Sequence, residues 1–202
     1  MSDSLRVRKR EQTRERIAAA AARLVIENGL TAATTDRIAA EADIARATFF
    51  RYFESKEYAV AEGFTAMWIA AITDALRRQP AELSATDALA AAFRELGAGF
   101  EAISGQIADI ERHTRDSLSL RAWTLLSYLR FETAIAETIA PRLPDLTVDD
   151  PRPRLIGALA MAAVRISLDD WLRDGGSLSD RISRAVTSMA PRPMKDEATD
   201  AR

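Results

Sequence analysis

The chain has 202 residues, with 28 Lys+Arg against 30 Asp+Glu, no cysteine and a single histidine, His113. The missing cysteines exclude disulfides, thiolate metal sites and cysteine nucleophiles, and one histidine argues against His-rich zinc sites and a Ser-His-Asp arrangement. A hydrophobic share of 48% with 29% charged residues is that of a soluble globular protein, long enough to bury a sizeable core.

The opening stretch, MSDSLRVRKREQTRERIAAAAARLVIENG, lacks the apolar segment and cleavage site of a signal peptide. Arg165 interrupts the best apolar run, LIGALAMAAVRISL, so no membrane span is expected, and the expected compartment is the cytoplasm. Charge is uneven along the chain. Residues 1–60 hold 11 basic against 9 acidic side chains, residues 61–202 hold 17 against 21, and the first 16 hold 6 against 3. A basic head on an acidic body hints that one end meets an anion.

Alanine and leucine dominate and no segment alternates with period two, so the chain reads as nearly all helix. A first helix is expected over about Leu5–Asn28, with Ile17, Ala21, Leu24 and Val25 on its apolar face and Gly29 as its stop. Two short helices follow at about Thr35–Ala42 and Arg46–Tyr52, separated by Asp43-Ile44-Ala45. A long helix starts near Ser55, a natural N-cap, and runs towards Pro80. Beyond it a bundle is expected. It begins with a helix capped by Ser84 or Thr86 that carries Leu89, Phe93, Leu96 and Phe100, followed by a looser segment around Gly105–Arg115. Further helices are expected at about Ser117–Ala140, Pro153–Asp174 and Ser177–Met189, with LPDLTVDDPRP as a connecting loop and disorder from Pro191 onward. The total is about nine helices.

Two short helices joined by a three-residue turn are the pattern of a helix-turn-helix. Ile38, Ala42, Ile44 and Phe49 supply its packing, and Thr34 and Thr35 start the first short helix, where hydroxyl and free N–H groups can hold a phosphate. The second short helix offers Arg46, Ala47, Thr48, Phe50 and Arg51 to a major groove, and Lys56 stands in the first turn of the next helix. Arg6, Arg8, Lys9 and Arg10 read either as a solvated tail or as a basic arm for the minor groove.

The run TRERIAAAAARLVIENGLTAATTDRIAAEADIARATFFRYFESKEYAV, Thr13 to Val60, resembles the DNA-binding domain of the TetR family of transcriptional regulators. The Thr-Thr pair, IAAEA and TFFRYFESKE fall at that family's spacing. The resemblance implies phosphate contacts from Thr34, Thr35 and Lys56, base or phosphate contacts from Arg46 and Thr48, and backbone contacts from the Phe50 and Tyr52 positions. Three residues depart from the pattern: Asp43 stands where the turn usually has glycine, Ala45 replaces a frequent serine cap, and Phe50 lacks the phenol of the usual tyrosine.

The resemblance further implies a C-terminal domain that dimerises and encloses a ligand pocket. The division expected is residues 1–54 for DNA binding, 55–190 for ligand binding and dimerisation, and 191–202 as a disordered tail. The Pro153–Asp174 segment carries two apolar rows, one of Leu155, Leu159, Ala162 and Ile166 and one of Ile156, Ala163, Ser167 and Trp171. Two faces suggest burial on two sides, one of them against a partner copy. The interface is assigned to Ile156, Ala163, Ser167 and Trp171, with Ile182, Val186 and Met189 from the last helix. Candidate pocket residues are Phe64, Trp68, Phe93, Phe100, Trp123, Leu126, Tyr128, Phe131 and Arg165. Arg130, Glu132 and Arg165 lie in apolar surroundings, so each must be exposed, paired or turned to a polar ligand group.

The C-terminal segments SYLRFETAIAETIAPRLPDL and PRPRLIGALAMAAVRISLDDWLRDGG are similar to actinobacterial members of the family, some of which respond to acyl-CoA or other amphiphiles. The expectation is a homodimeric repressor released from a pseudo-palindromic operator on double-stranded DNA by a small hydrophobic or amphiphilic effector. It needs no cofactor, metal or membrane. A helical adaptor without DNA binding is the competing reading, and it leaves Thr34, Arg46, Thr48 and Lys56 without a purpose. An enzyme is not expected: Asp169 and Asp170 are adjacent on a helix and diverge by about 100°, and no phosphate-binding glycine loop or nucleophile elbow occurs.

Overall fold

The computed structural model describes residues 2–116 and 118–188; Met189 and the tail from Pro191 lie outside the described residues. Ten α-helices and one 3-10 turn make up the described chain, with no strand among them: α1 Ser2–Asn28, α2 Thr35–Glu41, α3 Arg46–Phe49, α4 Lys56–Arg78, α5 Ala85–Glu95, α6 Gly97–Ala102, α7 Ser104–Asp116, α8 Leu118–Ile139, the turn Ala140–Arg142, α9 Arg152–Asp174 and α10 Leu178–Thr187.

The punctuation is local chemistry. The Thr34, Ser55, Ser84 and Ser177 hydroxyls each accept the first free N–H groups of the helix they precede. Gly29 and Gly175 end α1 and α9 in left-handed conformations, at φ 80° and 71°. The basic residues at the start form the exposed first turns of α1, not an extended arm, so a minor-groove role would require that part of the helix to unwind. The helix expected from Ser84 to beyond Phe100 breaks at Leu96-Gly97 into α5 and α6. A Cβ at Gly97 would lie 2.2 Å from Ser179 Oγ, so the break belongs with the close approach of α10. The segment expected to be loose, around Gly105–Arg115, is helical as α7.

Two hydrophobic clusters form, and α4 belongs to both. Near the N-terminus, Ile17, Ala21 and Val25 of α1 pack with Ile38, Phe49, Phe53, Ala59 and Val60. Towards the C-terminus, Ile72, Ala75 and Leu76 of α4 pack with Leu89 and Phe93 of α5, Ile135 and Ile139 of α8, Met161 and Leu168 of α9, and Ile182 and Val186 of α10. By length and composition α4 could cross a membrane, but more than half of its most apolar window is buried within this core. Arg142, on the turn after α8, donates to the Leu76, Gln79 and Pro80 carbonyls and so closes the C-terminal end of α4.

Two of the expected interface rows face inward. Ala163 and Ser167 of α9 and Ile182 and Val186 of α10 are buried within the chain's own core, and Ile156 and Trp171 are packed against it. The reason lies in α9. Gly157 puts that face so close to α8 that a Cβ would sit 2.4 Å from the Glu132 carbonyl oxygen. The other row is outward: Leu155, Leu159 and Ile166 are half-exposed, and Leu118, Leu125, Leu126 and Leu129 of α8 are exposed as well.

Candidate nucleic-acid interface and ligand cavity

The helix-turn-helix is held by arginines from α1. The guanidinium of Arg16 donates to the Ala42 carbonyl at the end of α2 (2.9 Å), and that of Arg14 to the Tyr52 carbonyl just beyond α3 (2.8 Å). Arg14 also lies 4.4 Å over the Phe53 ring, and Arg23 pairs with Glu41. These positioning residues escaped sequence reasoning, because their carbonyl partners lie 26 to 38 positions away and leave no local pattern.

Asp43 takes φ 51° in the turn, the left-handed geometry expected where glycine is usual. Ala45 sits at the N-cap of α3 and supplies no side-chain cap. The helix is accordingly short. After Phe49 the chain continues as tighter turns, with the Arg51 and Tyr52 N–H groups bonding three residues back, so the segment expected as helix to Tyr52 is helical only over its first half.

Thr34, Arg46, Ala47, Phe50 and Arg51 are exposed, while Thr35, Thr48, Tyr52 and Lys56 are partly buried. The Thr34 hydroxyl accepts the Arg37 N–H and keeps its own proton free. The Arg46 guanidinium donates to both carboxylate oxygens of Asp36 at 2.9 Å, joining the first turns of α2 and α3, and stands 5.9 Å from the Phe50 ring centre. An exposed pair of this kind is worth at most about 1 kcal/mol, so a phosphate or base edge can displace Asp36. Lys56 also has a partner within the chain. Its ammonium donates to the Leu30 carbonyl at 2.8 Å, which ties α4 to the loop after α1 and leaves two N–H groups for a phosphate.

On the far side of α4 lies a cavity of about 150 Å³. Of the residues expected there, Phe64, Trp68, Phe93, Phe100, Trp123, Tyr128 and Phe131 line it. Leu126 and Arg165 do not: both are exposed, Leu126 because it stands on the outward face of α8 with Leu125 and Leu129. Trp68 and Phe100 stack at 4.4 Å between ring centres, tilted by 31°. Sequence reasoning missed Glu111 and Thr114, polar residues of α7 that line the cavity, since that segment was read as loose.

Burial pushes the Glu111 carboxyl above the ordinary carboxylate range, with Arg115 opposing and Asp169 adding to the rise. Burial first, then the neighbouring Glu111 and Asp169, also pushes the Tyr128 hydroxyl up. A carboxyl whose pKa is raised on folding costs stability above its unfolded pKa and nothing below it. Glu111→Gln is therefore expected to raise the melting temperature by about 2–4 °C at pH 7.5, with the gain vanishing near pH 4. Thermal melts of both proteins across that range check it; an equal gain at both ends would assign the effect to packing.

A third arrangement joins the two regions. Glu62 of α4 accepts from Arg130 of α8 at 2.8 Å and faces Arg14 of α1 at 3.8 Å, the same Arg14 that holds the Tyr52 carbonyl. Arg130, one of the polar residues expected in apolar surroundings, is thus both exposed and paired.

Residues 17–62 match the family described as bacterial regulatory proteins, tetR family, and residues 116–193 match the MftR C-terminal domain. The chain is 31% identical to the HTH-type transcriptional regulator TcmR of Streptomyces glaucescens over 209 aligned positions, covering 95% of this chain and 89% of that protein. It is 27% identical to the putative mycofactocin biosynthesis transcriptional regulator MftR of Mycobacterium tuberculosis, covering 88% and 89%. Among solved structures, the TetR-family repressor FadR of Thermus thermophilus, in complex with lauroyl-CoA, superposes with a TM-score of 0.66 at 22% identity, covering 92% of this chain and all of that one. Family match, near full-length relatives and all-helical fold agree: the chain belongs to the TetR family of bacterial transcriptional regulators.

Proposed function

We propose that this protein is a homodimeric cytoplasmic repressor that binds a pseudo-palindromic operator through residues 1–54 and is released when a small hydrophobic molecule fills the cavity of residues 55–190. TetR-family regulators bind operator DNA and act as dimers. The observation that carries the reading is the double role of α4. Its first half packs into the helix-turn-helix unit through Ala59 and Val60, and its middle walls the cavity through Phe64, Thr65, Trp68 and Ile72. A ligand that displaces those rings shifts the same helix that seats the reader. The Arg14–Glu62–Arg130 chain supplies a second physical link, from α8 to the end of the recognition segment.

The partner surface is the outward row Leu155, Leu159 and Ile166 together with Leu125 and Leu129 of α8, two antiparallel-capable helices that pair with their copies. The distant FadR neighbour is in complex with lauroyl-CoA. A cavity of about 150 Å³, the size that accepts benzene in an engineered protein, suits a more compact molecule.

Genomic fragments retained by the purified protein identify the operator. On that fragment the double variant Arg46→Ala/Arg51→Ala is expected to lower affinity by about 10- to 100-fold and to flatten its salt dependence, with fold and dimer intact. Unchanged gel shifts at physiological salt would remove α3 from the interface and favour a helical adaptor.

A further inference from the structure

The cavity has a chemical polarity that its size alone does not specify. Its walls are aromatic and aliphatic, and its one charged lining residue is Glu111. No lysine, arginine or histidine is among the lining residues. Arg115, whose charge acts on Glu111, pairs with Asp169 at 2.5 Å and is not among the lining residues. The hydroxyls of Thr65, Thr124 and Ser127 are spent on carbonyls of their own helices. The Glu111 carboxyl and the Tyr128 hydroxyl make no side-chain hydrogen bond among the described residues, and neither holds a fully buried unsatisfied atom, so both keep open hydrogen-bonding capacity.

We infer that the effector is a compact aromatic amine, its ring lodged beside the Trp68–Phe100 stack and its nitrogen donating to the Glu111 carboxylate and the Tyr128 hydroxyl. This rests on the reading of the cavity as the effector site. The volume matches that of a cavity that takes one benzene ring, so a single aromatic ring fits. Aromatic faces attract an ammonium as well as a ring, and the carboxylate supplies the countercharge that desolvation makes necessary. An anionic ligand meets the opposite: a carboxylate or phosphate would be buried against Glu111 with no cation in the wall. Burial raises the Glu111 carboxyl above the ordinary carboxylate range, and an ammonium beside it favours the ionised form.

Calorimetric titration of the full-length protein with 2-phenylethylamine, ethylbenzene, phenylacetate and phenylacetone separates these cases by their head groups. The amine is expected to bind at least about tenfold more tightly than ethylbenzene, phenylacetate no better than ethylbenzene, and Glu111→Gln to cut the amine's advantage to below about threefold. Tighter binding of phenylacetate or of phenylacetone, an amine advantage that survives Glu111→Gln, or no saturable binding of the amine up to about 1 mM would each overturn the inference. Operator release is scored separately by gel shift. Glu111-dependent amine binding that leaves the operator bound defeats the effector reading and keeps the amine site; release by other compounds without amine binding does the reverse.

Discussion

Gly63→Ala is expected to lower the melting temperature by about 6–12 °C and to abolish operator binding at the same time. A Cβ at this position would stand 2.1 Å from the Ala18 carbonyl oxygen and 2.8 Å from the Ala22 Cβ. Neither neighbour is the free end of a flexible side chain, so α1 and α4 must separate, and the packing of Ile17, Ala21 and Val25 on Ala59 and Val60 loosens with them. Overpacking of this kind costs roughly 3 kcal/mol, at the upper end of the usual range, because backbone has to move. Gly105→Ala is the control. It lies in α7 with nothing within 4 Å of its Cβ, and alanine there is expected to be neutral or to stabilise by up to about 1 kcal/mol. Equal melting temperatures for the two variants would show that the α1–α4 crossing is slack.

The second large effect concerns assembly. Leu159→Glu is expected to turn a dimer into a monomer at micromolar concentration and to weaken operator binding by at least about 100-fold, since a buried charge at an interface centre costs more than 2 kcal/mol and a monomer reaches only one half-site. Leu159 is 51% exposed in the single chain, so the carboxylate has no reason to disturb the monomer fold. Sedimentation and far-UV circular dichroism read the two properties independently. A variant that still sediments as a dimer would move the interface elsewhere. Ala163→Glu makes the contrast: that side chain is 4% exposed in the chain's own core, and its variant is expected to unfold rather than dissociate.

How far the sequence led depended on whether the determining contacts were local. The helix-turn-helix was readable because its punctuation is local: Thr34 and Ser55 cap the helices they precede, Gly29 ends α1, and Asp43 bends the turn. The aromatic lining of the cavity was largely readable too, since Phe64, Trp68, Phe93 and Phe131 are too large to be left outside a core. What failed was orientation. Both rows of α9 are apolar, and only the approach of α8 at Gly157 decides which one turns inward, a contact between residues 25 positions apart. Leu126 failed likewise, on a helix whose apolar residues surround most of its circumference. Glu111 went unnoticed because a charged residue among Asp109, Arg112 and Arg115 looks solvated until α8 and α9 cover it.

The Arg46–Asp36 pair bears on how the proposed DNA reader would discriminate among sequences. In the free protein this guanidinium already has an exposed, weakly held anionic companion, so docking through Arg46 would exchange one carboxylate for one group on the duplex and not simply neutralise a phosphate. The net electrostatic gain at that position would then be small on random DNA and larger where a guanine edge offers the two acceptors that match the fork. On the proposed reading, Asp36 would compete with DNA for Arg46, so that loose association gains little there and affinity concentrates where Arg46 finds a better partner than the one it gives up.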